Sequence, residues 1–184
     1  MKKIIILIFI SVLSFNANAA LVDNGGGLIY DSTQNITWLQ DANYASTSGY
    51  DADGEMSWSA ASSWVDGLSY GGHDDWRLPT TVQPDASCTF TSPTSWGWNC
   101  TGSEMGNLYY TTLGNAQFDD ISLINTGPFT NVKDEYHSGT AHPAGSGTYW
   151  SFDFDGGNQV GSDSDEYAWA VADGNIAASV VPIP

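Results

Sequence analysis

The side chains with the most chemical potential in this sequence are carboxylates. Asp51-Ala52-Asp53-Gly54-Glu55 alternates acids and ends on a Gly-Glu step, and Asp153, Asp155, Asp163 and Asp165, with Glu166 beside them, form a second acidic run. Hard oxygen donors set close together suit Ca2+. The first run lacks the later Glu that completes an EF-hand loop, so each run reads either as a calcium site or as a solvated acidic loop. Aromatic side chains offer a different chemistry. Trp96 and Trp98 stand in a Ser/Gly-rich stretch between Cys88 and Cys100, a setting for an exposed rim that stacks on a sugar ring or a protein surface. His137, in Tyr136-His137-Ser138-Gly139-Thr140, joins them as a candidate ligand contact. Catalytic signatures are missing: His73, His137 and His142 are scattered, and no Ser-His-Asp order, G-x-S-x-G or H-E-x-x-H is present. A paired-carboxylate hydrolase is easy to imagine among 21 acids, and that abundance deprives any one pair of specificity.

Charge narrows the partners. The 184 residues carry 4 bases against 21 acids, a formal net charge of −17. Two of the bases are Lys2 and Lys3; without them Arg77 and Lys133 face the same 21 acids, and the balance is −19. So few cations cannot neutralise a phosphate backbone or adhere to anionic lipid, which excludes nucleic acid and acidic membrane surfaces as partners. Aromatics at 13% and charged residues at 14% argue against disorder, and the length fits one domain.

Residues 1–19 have the form of a secretory signal: Lys2-Lys3, an apolar run from Ile4 to Phe15, and Ala17-Asn18-Ala19 as the cleavage site. The run is shorter than the roughly 20 residues that span a bilayer, so the expectation is export from a bacterial cell, to periplasm, surface or medium, with no membrane span in the mature chain. An oxidising destination favours a Cys88–Cys100 disulfide. Val181-Pro182-Ile183-Pro184 resembles the start of a bacterial C-terminal sorting signal, so the domain is expected over residues 20–180.

These groups need elements to hold them. Leu28–Asp31 and Ile36–Leu39 read as two short strands joined by a turn, and Asp51–Glu55 as another turn. Trp58, Ala61, Val65 and Leu68 make one helical stripe behind Ser57 as N-cap. Met105, Leu108, Tyr109 and Leu113 make a second, behind a Thr101…Glu104 capping box. Trp150, Phe152 and Phe154 alternate in a strand over 149–154, and Tyr167–Ala172 reads as its hairpin partner across a long acidic loop. Two short helices followed by a strand-rich end suggest an α+β domain.

Several segments, in order, carry a resemblance: Gly26-Gly27-Leu28-Ile29-Tyr30-Asp31, Thr37-Trp38-Leu39, Asp53-Gly54-Glu55-Met56-Ser57-Trp58, Asp75-Trp76-Arg77-Leu78-Pro79-Thr80, Thr101-Gly102-Ser103-Glu104-Met105, Asn125-Thr126-Gly127-Pro128-Phe129, Tyr149–Phe154 and Tyr167–Val171. Together they resemble the Lcl C-terminal domain family, a former domain of unknown function. The Arg77-Leu78-Pro79-Thr80 core is also similar to a motif of the formylglycine-generating enzyme family. The resemblance implies a C-type-lectin-like single domain, loop-rich, with two short helices packed on twisted antiparallel strands. Two departures matter. The enzyme's reactive cysteine pair has no counterpart, because Cys88 and Cys100 lie in the loop after Thr80. The name-giving adhesin domain is associated with sulfated glycans, whereas this chain has Ala172 where members often carry Arg, and so few cations make a poor receptor for polyanions.

Arg77, the only arginine, reads as an anion clamp or as a structural ion pair with carboxylates such as Asp74 or Asp75. The resulting expectation is a secreted or cell-surface, non-enzymatic, adhesin-like domain that binds a glycan or a surface protein, with calcium as the only cofactor the residues suggest. The alternatives are an enzyme on a formylglycine-generating scaffold and a structural component of an extracellular matrix.

Overall fold

The computed structural model describes residues 21–118, 124–143 and 147–177. The expected signal segment and the Val181–Pro184 tail lie outside the described residues. In chain order the elements are β1 (Leu21–Asp23), β2 (Leu28–Asp31), β3 (Ile36–Leu39), α1 (Tyr44–Thr47), β4 (Glu55–Met56), α2 (Trp58–Asp66), α3 (Glu104–Gly106, continuing as a π-helical turn over Asn107–Thr112), β5 (Glu135–Ala141), β6 (Tyr149–Asp153), β7 (Asn158–Ser162), β8 (Glu166–Tyr167) and β9 (Val171–Asp173). They form two sheets, ordered β1-β2-β3-β9 and β4-β8-β5-β6-β7. All neighbouring strands run antiparallel except β5 and β8, which are parallel. The domain is α+β.

The local signals that formed elements have visible causes. Ser57 caps α2, its side chain accepting from the Ala60 N–H, and Ala61, Trp64 and Val65 turn inward. The second helical run begins at Glu104 behind Ser103, close to the expected start, and Ser103 makes no side-chain cap. The expected capping box does not form because the Glu104 carboxylate is taken by Arg77 and by the Thr80 N–H. Gly106 lets this helix pass the disulfide: a Cβ there would stand 2.0 Å from the Cys100 carbonyl oxygen.

Two strand expectations are corrected. β6 pairs with β7, Tyr149 opposite Ser162 and Asp153 opposite Asn158, so half of the expected acidic loop is a strand. Tyr167–Ala172 is not one strand. Its start pairs as β8 in the second sheet and its end as β9 in the first, with Trp169 between them. That crossing is the centre of the core. Trp169 lies 4.9 Å from both Trp38 and Phe129 and 5.3 Å from Tyr136, ring to ring, and its Nε1 donates to the Leu39 carbonyl. A fully buried aromatic hub shared by both sheets makes them one cooperative unit.

Candidate functional site

Arg77 is the seam between the sheets and the helices. Its backbone pairs with Val171 of β9. Its guanidinium donates two bonds to Glu104, at 2.7 and 2.8 Å, and reaches Asp173 at 2.6 Å. Burial opposes the charge, but the bonds and charges of Glu104 and Asp173 outweigh it and hold the group protonated. Asp74 and Asp75 are exposed and take no part, which corrects the expected partners. Asp75-Trp76-Arg77-Leu78-Pro79-Thr80 is a structural strap: Trp76 and Leu78 are buried, the Pro79 carbonyl accepts from Ser138 and Gly139, and the Thr80 carbonyl from Glu104. With its N–H edges engaged by Glu104, Asp173 and the Leu78 carbonyl, Arg77 is an ion-pair residue.

The carboxylates come together differently from their order in sequence. Pairing of β4 with β8 sets Glu55 opposite Tyr167 and Met56 opposite Glu166, so members of the two acidic runs meet at one sheet edge. Glu135 heads the neighbouring β5 and stands opposite Asp153. Burial raises Glu166 to about 7, helped by the charges of Glu135, Asp134 and Glu55. Burial likewise raises Asp153 to about 6, with Glu135 and Asp155 adding to it. Asp51 goes the other way, lowered by the Gly54 and Asp53 N–H groups that its carboxylate accepts. Asp53, Asp155, Asp163 and Asp165 are exposed. Among the described residues, the one trio of metal-ligating side chains close enough to share an ion is Asp85, Cys88 and Cys100, and its sulfurs form a disulfide. The residues expected to bind calcium therefore do not converge as one preformed trio. Glu135 and Asp134 escaped the sequence reading because their neighbours come from distant strands.

This crowding gives a signed prediction. A carboxyl whose native pKa stands above its unfolded value holds its proton more tightly in the native state, so ionising it lowers stability. For Glu166 and Asp153 the loss falls between about pH 4 and 7, the span from their ordinary values to the raised ones. The melting temperature is expected to drop as pH rises from 5 to 8, and Glu166→Gln to raise it at pH 8 and flatten the slope. A flat profile that Glu166→Gln leaves unchanged would contradict the clustering.

The aromatic loop is the other candidate. Cys88 and Cys100 are joined, and neither is free. Inside the bridge, Phe90 and Trp96 exchange backbone hydrogen bonds at 2.9 and 3.1 Å, and their rings stack at 4.2 Å. Gly97, in the left-handed region at φ 92, turns the chain so that its backbone pairs with Gln159 of β7. The Gln83 and Gln159 side chains both bind the buried Ser95 backbone. The loop is thus held at both ends and in the middle. Phe90 is 41% and Trp96 40% exposed despite their stacking. Trp98 is half-buried against the exposed Phe118, at 4.7 Å, and so supports the loop more than it forms a rim. Phe90 was legible as a third aromatic inside the cysteine pair.

Beside Trp96 runs a groove of about 280 Å³ lined by Thr94, His142, Thr148, Trp150 and Val160. No Asp, Glu, Lys or Arg lines it. Trp150 is only 1% exposed, and its Nε1 has no hydrogen-bond partner among the described residues. An indole donor, ring faces and threonine hydroxyls without a formal charge suit a ligand that is apolar on its faces and hydroxylated on its edges. His137 is not part of this groove. It is buried on the opposite face of the sheet, its Nε2 2.8 Å from the Met56 carbonyl, so the structure separates it from Trp96 and Trp98.

No curated protein and no solved structure matches the chain. One family model does: the Lcl C-terminal domain, over residues 27–172, a span that includes the Arg77 strap, the disulfide loop, the whole second sheet and the first sheet apart from β1 and Asp173. The protein belongs to the Lcl C-terminal domain family.

Proposed function

We propose that the protein is an exported, non-enzymatic binding domain that holds a neutral glycan on the Phe90–Trp96 platform and in the groove beside it. The observation that carries this is the pre-stacked, exposed pair on a loop fixed by a disulfide and by Gln83 and Gln159. Ordering costs are already met in such a loop, so ring contacts convert into affinity. The uncharged groove and the net charge of −17 both favour neutral over sulfated ligands. The disulfide suits an oxidising compartment. Against an enzyme on a formylglycine-generating scaffold stands the bonding of Cys88 to Cys100, which leaves no free thiol.

The test is an array of neutral, carboxylated and sulfated glycans, run with and without calcium. Binding is expected among neutral glycans and not to sulfated ones. Exclusive binding of sulfated glycans would overturn the reading.

A role for calcium is favoured by one observation, the meeting of Glu55, Glu135 and Glu166 at the β4–β8–β5 edge. A divalent ion there would relieve the mutual repulsion. A ligand bound only by the native state at 100 times its Kd adds about 2.7 kcal/mol. Calcium is expected to raise the melting temperature at pH 8 and much less at pH 5, where Glu166, raised to about 7, holds its proton. A melting temperature indifferent to calcium at pH 8 would remove the metal from the proposal.

A further inference from the structure

Tyr149 and Ser162 face each other across β6 and β7, as do their neighbours Trp150 and Gly161. Successive strand residues point to opposite faces. Trp150 and Gly161 line the Trp96 groove; Tyr149 and Ser162 line a different cleft, of about 170 Å³, on the other side of the same two strands. The start of α2, Asp163 and the buried His137 also line it.

The chemistry of this cleft is defined by His137. The Met56 carbonyl can only accept, so Nε2 of the ring carries the hydrogen. Burial lowers the pKa of this imidazole, which keeps it neutral. Nδ1 is then a bare lone pair. It is buried and has no partner among the described residues, in a side chain that is 2% exposed. A buried acceptor left empty in this way is unusual and calls for a donor. The wall beside it is aromatic. Trp58 and Tyr149 stack at 3.8 Å and 5° between planes, and the Trp58 Nε1 is fixed by the Ser138 carbonyl. Around them are the hydroxyls of Ser57, Ser59 and Ser162. A metal ion is poorly served, since no trio of ligating side chains converges there among the described residues. An anion would meet the Asp163 carboxylate.

We infer that this cleft is a second saccharide subsite, in which one neutral sugar residue packs against the Trp58–Tyr149 pair and donates a hydroxyl hydrogen to Nδ1 of His137. The inference rests on the glycan-binding reading and adds to it a separate site with its own hydrogen-bond requirement. Two subsites on opposite faces of one strand pair would let the domain grip a branched or bent glycan at two points, and linkage of two weak contacts raises avidity without new contacts.

The test is an NMR titration of the isotope-labelled protein. The probes are the methyl glycosides of glucose, galactose, mannose and N-acetylglucosamine, with glucuronate as the anionic control. At least one neutral glycoside is expected to move the His137 ring nitrogens and the Trp58 indole signal saturably, with glucuronate inert. Tyr149→Ala, at a half-buried position, should weaken that binding on the order of tenfold, while Trp96→Ala leaves it unchanged. His137→Phe could unfold the chain, so the His137 signals of the unaltered protein serve as the primary readout. The inference is overturned if no neutral glycoside moves those signals, if glucuronate moves them equally, or if Trp96→Ala abolishes the response. Loss of polysaccharide binding in Trp96→Ala with His137 silent throughout would remove this subsite and leave the Trp96 platform standing.

Discussion

Arg77→Ala is expected to destabilise the domain by about 3 kcal/mol, because removing one partner of a largely desolvated ion pair strands the other. Glu104 would be that stranded group. Its side chain is only 15% exposed, and it would keep the Thr80 N–H but lose both guanidinium bonds. The loss would spread, because Arg77 ties together the strap, the start of the second helix and β9 through Glu104, the Leu78 carbonyl and Asp173. At about 2–4 °C per kcal/mol for a domain of this size, the melting temperature should fall by roughly 6–12 °C. Arg77→Lys should recover only part of the loss, since an ammonium cannot reproduce the two-bond fork on Glu104. Thermal unfolding of the two variants checks this. A change in Arg77→Ala below about 2 °C would mean that the seam contributes little to the fold.

The second large effect is expected at the disulfide. Cys88 and Cys100 are 12 residues apart, and the chain-entropy model gives about 3 kcal/mol for a loop of this order. The Cys88→Ser/Cys100→Ser double variant should lose about that much in urea unfolding, and a reductant should shift the unaltered protein toward the variant. Ligand binding should weaken as well. Gln83 and Gln159 still hold Ser95, but Phe90 and Trp96 lose the tether that keeps their rings stacked when nothing is bound. Equal unfolding midpoints with and without the bridge would show that the loop is held by those side chains alone.

Much of this was legible locally. The Ser57 cap and the apolar stripe of α2 are short-range patterns, and both formed. The short β2 and β3 segments paired as a hairpin because their apolar content and the turn between them are also local. Partner choice was not legible. Trp150-Ser151-Phe152 alternates clearly, yet nothing local tells it to pair with the Gly- and Ser-containing β7 in place of Tyr167–Ala172. β5, with His, Ser, Gly and Thr in seven residues, lacks the apolar run of a strand; it is held by pairing on both sides and by bonds to the strap. Glu104 shows the same limit at a single residue. Its spacing from Thr101 suits a cap, and a stronger partner from the Arg77 strap takes it instead. The functional residues divide likewise. Trp96 was visible as an aromatic between two cysteines, whereas the acceptor at His137 and the unpartnered Trp150 donor exist only through tertiary neighbours.

The most direct test compares the unaltered protein with Trp96→Ala on a neutral glycan that the array identifies, by calorimetry at low and high salt. Trp96 is 40% exposed, so its removal should leave the melting temperature within about a degree while weakening binding roughly tenfold or more. Affinity should be nearly independent of salt, because no formal charge lines the groove. Binding unchanged by Trp96→Ala, or binding that collapses as salt is raised, would contradict a neutral-glycan platform at this loop.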